Sequence, residues 1–340
     1  MFRATISDIA RRSGTSTATV DRVLNGRAGA SAISRQRVIQ AARELNYLPT
    51  EGETVLPARP VQLEFFLPRQ RQAFLRDVAD RIEGFAAELP LVSKVRVHDL
   101  ADIGHETLNA ALGRIAAETR GVGIVAVDHP RTRQAVRDLV DAGVKVVTIG
   151  SDLLSTPRSA YVGLDDRVAG RTAGLLMGKL ARSQRGKVGF FVGQRGFHGQ
   201  REREIGFRSV IEQEFPELEV LPPIDIRTDN TKAELEVESL VRREPGLVGI
   251  YNTGGGRTGV ATALSRLAPG RRPVLIMHDL SDTTRRFLAA GVIDLIIDQN
   301  ARLVAEQAVI RLLGAVASSA SFLPEHFIEP RLIFRENIPI

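Results

Sequence analysis

The sequence predicts a two-part protein, in which a small all-α headpiece precedes an α/β body built from parallel sheets with helices on both faces. Three observations support this prediction. The first fifty residues contain three short amphipathic helical patterns. The rest of the chain alternates apolar runs of strand length with amphipathic helical stretches. The length of 340 residues corresponds to about two domains.

The composition is that of an ordinary globular protein, since 43% of residues are hydrophobic and 25% are charged. No segment approaches the ~20 uninterrupted apolar residues of a membrane helix. Met1–Asp8 lacks the apolar core of a signal peptide. The absence of cysteine excludes disulfides, thiolate zinc sites and a cysteine nucleophile, and the six histidines show no metal-binding spacing. We therefore expect a soluble cytoplasmic protein without metal or cofactor.

Positive charge is concentrated at the N-terminus. The first fifty residues hold eight arginines and three acidic residues, a net charge of +5, whereas the whole chain carries only +6. A basic module on a nearly neutral body is typical of a nucleic-acid reader, although basic N-termini are also common without that role.

The helical patterns of the headpiece have recognisable ends. Thr5 followed by Asp8 predicts the start of the first helix, and Gly14 ends it. Ser16 predicts the cap of a second helix, which ends at Asn25-Gly26, and Ser31 begins a third. The inward-facing residues are Ile6, Ile9, Ala10, Val20, Val23, Leu24, Val38, Ala41, Ala42 and Leu45. Helix, tight turn, helix and a supporting third helix make a helix-turn-helix.

Residues 1–49 resemble the headpiece of the lactose-repressor (LacI) family. The resemblance rests on Thr5–Ala10, Gly14-Thr15-Ser16, Thr19–Asn25 and Glu44–Pro49, over some forty-five residues without a visible gap. A generic three-helix bundle is the alternative, but it would not need exposed polar residues such as Arg22 and Asn25 beside its apolar stripe. The resemblance implies a helix-turn-helix domain that binds double-stranded operator DNA.

In such a domain the first turn of the second helix lies in the major groove. We therefore expect Thr17, Ala18 and Arg22 to read base edges, with Arg22 bound to guanine and the two small residues against thymine methyl groups. Asp21 either accepts a hydrogen bond from cytosine or pairs with a nearby arginine. The residues suited to phosphate contacts are Thr5, Ser16, Thr19, Asn25 and Ser31.

Residues 50–60 form a predicted linker. The LacI resemblance implies a short hinge helix whose leucine enters the minor groove, and Leu56 stands where that leucine would be. Gly52 and Pro57 depart from the family pattern and both disfavour a helix. A weakened hinge helix and a flexible tether therefore remain alternatives.

Residues 61–340 form the predicted body, with two lobes divided near residue 163. The strand-like runs are Val61–Leu67, Val95–His98, Val122–Val127, Val144–Ile149, Lys187–Val192, Leu218–Ile226, Val248–Asn252, Val274–Met277 and Val292–Ile297. The body resembles the type 1 periplasmic sugar-binding fold through Val146–Ile149, Val162–Asp166, Arg201–Phe207 and Ile297–Gln299. The resemblance implies a periplasmic-binding-protein-like effector domain.

In such folds the ligand lies where the carboxyl ends of strands from both lobes meet. The candidate ligand-binding residues are Asp128, Ser151, Arg201, Asn252, Asp279 and Gln299, with Phe74 as a candidate for stacking on a ring. The resemblance implies ligand contact for Asp128, Arg201, Asp279 and Gln299. Alternatively, these side chains cap helices or bridge the lobes. Ribose-type binders carry an Asp-Arg pair where this chain has Gly150-Ser151, so their substrate does not transfer.

The segment Gly254–Gly259 satisfies the dinucleotide-binding pattern G-x-G-x-x-G, and Asp279 follows at the end of the next strand. An NAD-dependent oxidoreductase is therefore an alternative, as is a stand-alone solute-binding protein. The late position of the glycines and the lack of a hydride-transfer constellation disfavour the oxidoreductase. The headpiece and the lack of a signal peptide disfavour the stand-alone solute-binding protein.

Together these observations predict a ligand-responsive DNA-binding transcription regulator without catalytic residues, a repressor of a carbohydrate or polyol catabolic operon. Its expected partners are operator DNA, a small-molecule effector such as a sugar or polyol, and a second copy of the chain. A homodimer is expected because a single headpiece offers too few contacts for operator affinity.

Overall fold

The computed structural model describes residues 5–24, 30–45, 56–70, 72–102, 104–181, 185–318, 323 and 327–339. Three helices form the headpiece, α1 (Ile6–Ser13), α2 (Thr17–Leu24) and α3 (Ala32–Glu44). Thr5 and Asp8 make a capping box at the start of α1, and Gly14 ends the helix with a φ of 65°. The apolar residues expected to face inward pack into one core cluster. The predicted end of α2 at Asn25-Gly26 lies outside the described residues.

The first lobe contains a five-stranded sheet in the order β2-β1-β3-β4-β5, in which every described pair is parallel. Its strands are β1 (Val61–Leu67), β2 (Val92–Asp99), β3 (Thr119–Ile124), β4 (Lys145–Ile149) and β5 (Ala160–Val162). Its helices are α4 (Ala73–Glu88), α5 (His105–Leu112) and α6 (Pro130–Asp141). Parallel strands direct all their carboxyl ends to one edge of the sheet, where the connecting loops meet.

The second lobe contains a seven-stranded sheet in the order β12-β11-β10-β9-β6-β7, with β8 beside β6. Its strands are β6 (Gly186–Val192), β7 (Leu218–Val220), β8 (Ile224–Asp225), β9 (Leu247–Asn252), β10 (Val274–His278), β11 (Leu295–Asp298) and β12 (Arg331–Ile333). Its helices are α7 (Asp166–Leu180), α8 (His198–Glu214), α9 (Asn230–Arg243), α10 (Arg257–Ser265) and α11 (Asp282–Ala289). Only β12 runs antiparallel to its described neighbour.

The chain passes between the lobes three times. It leaves the first lobe after β5, returns after β11 as α12 (Ala301–Ala317), and leaves again to form β12. Helix α12 packs on α4 and on strands β3 to β5 of the first lobe. An isolated bridge between Leu164 and Ile328 joins the first and third crossings side by side.

The predicted architecture, a helical headpiece and a two-lobed α/β body, is confirmed. One predicted strand is wrong in detail, because the run Leu218–Ile226 forms two short strands, β7 and β8, instead of one. Pro222 and Pro223 lie between them and lack the N–H groups that a continuous ladder requires.

Candidate functional site

A cleft lies between the lobes at the carboxyl ends of the parallel strands. The first lobe lines it with Gln72, Phe74, Leu75, Val125, Gly150 and Ser151, and the second with Phe197, Gly199, Gln200, Arg203, Thr253, Gly254, Asp279 and Gln299. Its volume is about 50 Å³. An engineered protein cavity of about 150 Å³ binds benzene, so we expect the lobes or the lining side chains to move when a sugar enters this cleft.

Arg203 enters the cleft from α8. Its Nε donates to Asp166 Oδ1 at 2.7 Å, and its Nη1 donates to the carbonyl of Thr253 at 2.7 Å. Burial raises the pKa of the Asp166 carboxyl, an effect that the adjacent guanidinium opposes. Asp166 begins α7, directly after the chain crosses between the lobes for the first time. The hydroxyl of Tyr161, in the first lobe, donates to Asp166 Oδ2 at 3.4 Å. This ion pair therefore connects the cleft with the crossing between the lobes.

Asp279 enters the cleft from the opposite part of the second lobe, after β10. Its Oδ2 accepts from Arg257 Nη1 at 2.7 Å, and its Oδ1 accepts from Gln299 Nε2 at 2.7 Å. Its backbone has a φ of 67°, a conformation that is costly for a non-glycine residue and is held here by the hydroxyl of Thr284, which donates to the Asp279 carbonyl at 3.1 Å. Asp279 and Gln299 are thus held in fixed orientations before any ligand binds.

Two buried polar atoms in the cleft wall have no hydrogen-bond partner among the described residues. They are Ser151 Oγ and Gln299 Oε1, one from each side of the cleft. A buried donor or acceptor without a partner is unfavourable by roughly 1–3 kcal/mol. Both atoms are therefore suited to receive hydrogen bonds from the hydroxyl groups of a ligand.

Four of the seven predicted ligand-binding residues line the cleft, namely Phe74, Ser151, Asp279 and Gln299. Phe74 is buried against the core of the first lobe and turns part of its surface to the cleft. Phe66, which we expected in the core, is fully buried there.

The other three predicted residues have different surroundings. Asp128 accepts from Arg133 Nε at 2.6 Å, and its backbone N–H bridges the lobes to the carbonyl of Gly196 at 3.0 Å. Asn252 is buried and holds the turn that follows β9, where its Oδ1 accepts from the N–H of Gly254 at 2.9 Å. Arg201 is exposed on α8.

Arg203 is the arginine that the sequence reasoning missed. Two residues on a helix differ by about 200° in direction, so Arg201 and Arg203 lie on opposite faces of α8. The spacing of small and apolar residues could have identified the buried face, since Gly199, Gly206 and Val210 are buried and Arg203 falls in phase with them. Arg257 and Gln200 also went unnoticed, because their roles depend on partners distant in sequence.

The glycine-rich segment Gly254–Gly259 packs tightly against its neighbours. Gly256 caps α10 with a φ of 72°, and a Cβ on Gly259 would collide with the carbonyl of Asn230. Arg257, the first residue of α10, binds Asp279, the residue that would contact ribose in a dinucleotide site. The segment therefore forms part of the cleft wall, and its geometry does not favour the dinucleotide alternative.

Helix α2 exposes all three residues predicted to read bases, Thr17, Ala18 and Arg22. The predicted phosphate-contact residues Thr5, Ser16 and Ser31 each carry a hydroxyl that accepts from a backbone N–H three residues later, at 3.3, 3.1 and 3.1 Å. Thr19 Oγ1 lies 2.9 Å from Ser16 Oγ. Helix N-termini attract phosphate groups, so these caps are compatible with the predicted contacts.

The remaining residues of the predicted DNA interface and linker are only partly described. Asn25, predicted to contact a phosphate, falls outside the described residues, as do residues 50–55 of the predicted linker, among them Gly52. Leu56 is described and 49% exposed. Asp21 is half-buried on α2.

The described residues include neither a membrane-spanning helix nor a cluster of metal ligands. None of their helices has the length and apolar character needed to cross a membrane. Their histidine and acidic side chains form no group of three arranged to hold a metal ion.

Comparison with known proteins identifies both parts of the chain. The sequence pattern described as "Periplasmic binding protein domain" matches residues 63–318, and that described as "Bacterial regulatory proteins, lacI family" matches residues 5–50. The HTH-type transcriptional regulator DegA of Bacillus subtilis is 23% identical over 213 residues, which cover 62% of this chain and 62% of DegA. The match therefore spans less than two thirds of that curated relative.

Solved structures share the fold of the body. An ABC transporter solute-binding protein from Burkholderia graminis, in complex with D-arabinose, is 22% identical with a TM-score of 0.75, covering 83% of this chain and 97% of that one. A putative LacI transcriptional regulator from Bacteroides fragilis is 17% identical with a TM-score of 0.72, covering 82% and 98%. Because the binding-domain pattern covers most of the sequence, this chain belongs to the periplasmic binding protein domain family and carries a lacI-family regulatory domain at its N-terminus.

Proposed function

We propose that this protein is a ligand-responsive DNA-binding transcription regulator that represses a carbohydrate or polyol catabolic operon. One observation carries the proposal: a headpiece whose α2 exposes Thr17, Ala18 and Arg22 is joined, in one chain, to a two-lobed body with a polar cleft. The division into a DNA-binding domain at 1–49, a linker at 50–60 and an effector-binding and dimerisation domain at 61–340 belongs to the same proposal.

The headpiece binds operator DNA through α2. Arg22 contacts guanine in the major groove, and Thr17 and Ala18 contact thymine methyl groups. Thr5, Ser16, Thr19, Asn25 and Ser31 contact phosphates, which orient the domain without reading sequence. The exposure of the three described base-reading residues supports this arrangement.

The cleft binds a sugar or polyol. Support comes from two polar atoms in its wall that lack partners among the described residues, the Ser151 hydroxyl and Gln299 Oε1, and from the charged groups of Arg203 and Asp279. Phe74 and Phe197 add apolar surface for the C–H face of a ring. The structurally similar solute-binding protein in complex with D-arabinose supports the same class of ligand.

The protein acts as a homodimer that binds two half-sites about one helical turn apart, because two headpieces are needed for operator affinity. Effector binding shifts the arrangement of the lobes and, through the linker, the spacing or order of the headpieces. The protein acts by binding rather than by catalysis, and it works in the cytoplasm, where the operator lies.

A footprinting experiment with a matched pair of arginine variants tests this proposal. We expect the wild type to protect a pseudo-palindromic site next to the operon that it regulates. Arg22→Ala should lose discrimination between that site and unrelated DNA, by roughly 1–3 kcal/mol. The exposed Arg37 on α3 provides the comparison, since Arg37→Ala should weaken binding to all DNA alike if it contacts phosphate.

Two outcomes would contradict the proposal. Unchanged operator preference in Arg22→Ala would remove this residue from base reading. Protection of an asymmetric site by a monomer would remove the dimer.

A further inference from the structure

The charged groups of the cleft are few, and each already has a buried partner. Among the described residues that line the cleft, only Arg203 and Asp279 carry charge. Asp166 lies behind Arg203 at 2.7 Å, and Arg257 lies behind Asp279 at 2.7 Å. Neither Asp166 nor Arg257 lines the cleft, so a ligand cannot take the place of either partner without breaking up the wall.

Arg257 is held firmly in this position. Its side chain is 8% exposed, and it donates to the carbonyl of Gly254 at 3.3 Å as well as to Asp279. Gly256 allows the backbone to turn immediately before it, with a φ of 72°. Removing one partner of a buried ion pair leaves an uncompensated charge. The carboxylate of Asp279 therefore depends on Arg257 for its counter-charge.

His278 adds no charge beneath the cleft. Its Nε2 lies 2.7 Å from the hydroxyl of Tyr251. Burial, together with the nearby Arg203 and Arg257, holds the pKa of His278 well below its usual value. The imidazole is therefore neutral at pH 7, and the two ion pairs leave the cleft with no net charge.

The polar atoms of the cleft wall that still need partners are an amide oxygen and a hydroxyl, and both can accept a hydrogen bond. Gln299 Oε1 is one of them, because its amide nitrogen already donates to Asp279. Ser151 Oγ is the other. A hydroxyl group can donate to both atoms without bringing charge into the cleft.

We propose that Arg257 is a specificity-determining residue, which cancels the charge of Asp279 from behind the cleft and so restricts the effector to uncharged polyhydroxylated molecules. Sugar acids, sugar phosphates and amino sugars are excluded, because a buried charge on the ligand finds no unpaired counter-charge there. This inference rests on the proposed function, since it concerns the effector of the same cleft.

Matched ligand sets test the inference on the full-length protein. D-Galactose, D-glucose and D-arabinose are each compared with their amino, acid and phosphate derivatives, by thermal shift and calorimetry. We expect that only uncharged members stabilise the wild type. In the Arg257→Gln protein, binding of the uncharged sugar should weaken at least tenfold. The amino derivative should bind more tightly to this variant than to the wild type, because the carboxylate of Asp279 then lacks a cation.

Three further variants separate specificity from folding. Arg257→Lys retains a cation and should retain the preference for uncharged ligands. The double variant Arg257→Gln/Asp279→Asn removes both charges and should lose the preference for amino sugars. Arg266→Gln alters an exposed arginine just after α10, which pairs with Glu234 at 2.5 Å, and should change neither affinity nor preference.

Tighter binding of a charged derivative to the wild type would overturn the inference while leaving the proposed function intact, as would unchanged preference in a folded Arg257→Gln protein. If the wild type protects its operator but no small molecule alters its stability or DNA binding, the effector-binding part of the proposed function fails, and the inference fails with it.

Discussion

At the scale of single residues, two arginines on one helix have opposite surroundings. Arg201 is exposed, whereas Arg203 is buried and shared between Asp166, the carbonyl of Thr253 and the cleft. Their residue type and neighbourhood in the sequence are nearly the same, so only the direction of each side chain on α8 distinguishes them. The two residues therefore form a natural pair for testing the site.

We expect Arg203→Ala to abolish the response to effector and to lower stability by about 3–5 kcal/mol, because it leaves the carboxylate of Asp166 buried without its cation. Arg201→Ala should change both properties little. Chemical denaturation and calorimetry with the effector measure these effects. The double variant Arg203→Ala/Asp166→Asn should recover part of the stability without recovering the ligand response. Wild-type affinity in Arg203→Ala would show that the ligand does not contact this arginine.

At the scale of secondary-structure elements, the position of Arg203 depends on how closely α7 and α8 approach each other. A Cβ on Gly170 of α7 would collide with the backbone of Arg203, and a Cβ on Gly206 of α8 would collide with the carbonyl of Arg167. The two helices can therefore touch backbone to backbone. This contact brings Arg203 within hydrogen-bonding distance of Asp166.

We expect Gly206→Ala to destabilise the protein by about 1–3 kcal/mol and to weaken effector binding, because the added methyl group forces α7 and α8 apart. Gly84→Ala is the matched control, since Gly84 is also within a helix but has no atom within 4 Å of a Cβ. That control should be neutral or more stable, by up to about 1 kcal/mol, because alanine favours helix. Equal melting temperatures for the two variants would contradict the proposed close packing.

At the scale of the whole molecule, the proposed linker between headpiece and body has a sequence that departs from the family pattern. Pro57 follows Leu56 directly and disfavours helical geometry at that leucine. Leu56 is nevertheless 49% exposed, as a residue that enters a DNA groove must be. We favour a weakened, partly ordered hinge in which Leu56 still inserts, over a flexible tether.

Under this hypothesis, Leu56→Ala should reduce operator affinity by a few kcal/mol at most and lessen the bend of the operator, because an apolar wedge between base steps kinks the duplex. DNA bending by wild type and variant on the same operator is the measurement. Leu154→Ala serves as the control, since Leu154 lies in the body and is similarly exposed, at 46%. A straight operator with both wild type and Leu56→Ala would leave the tether as the explanation.

The sequence by itself determined the class of the protein and most of its elements. Capping residues such as Thr5 and Ser16 and the apolar spacing of the headpiece are local signals, so they predicted α1 to α3 directly. The alternation of strands and helices predicted the parallel sheets for the same reason, and the length of the body predicted that they form two lobes. Asp279, Gln299 and Ser151 could be found because polar residues that follow parallel strands converge at one edge of a sheet.

Only the tertiary structure decided which charges belong to the cleft. Asp166 and Arg203 are 37 residues apart, and Arg257 and Asp279 are 22 apart. Contacts over such separations follow from the packing of α7 on α8 and from the parallel pairing of β9 with β10, which leave no local pattern in the sequence. The return of α12 to the first lobe is of the same kind, because an amphipathic helix specifies a buried face but not the sheet that covers it. Local chemistry therefore predicted the elements, and long-range packing determined their partners.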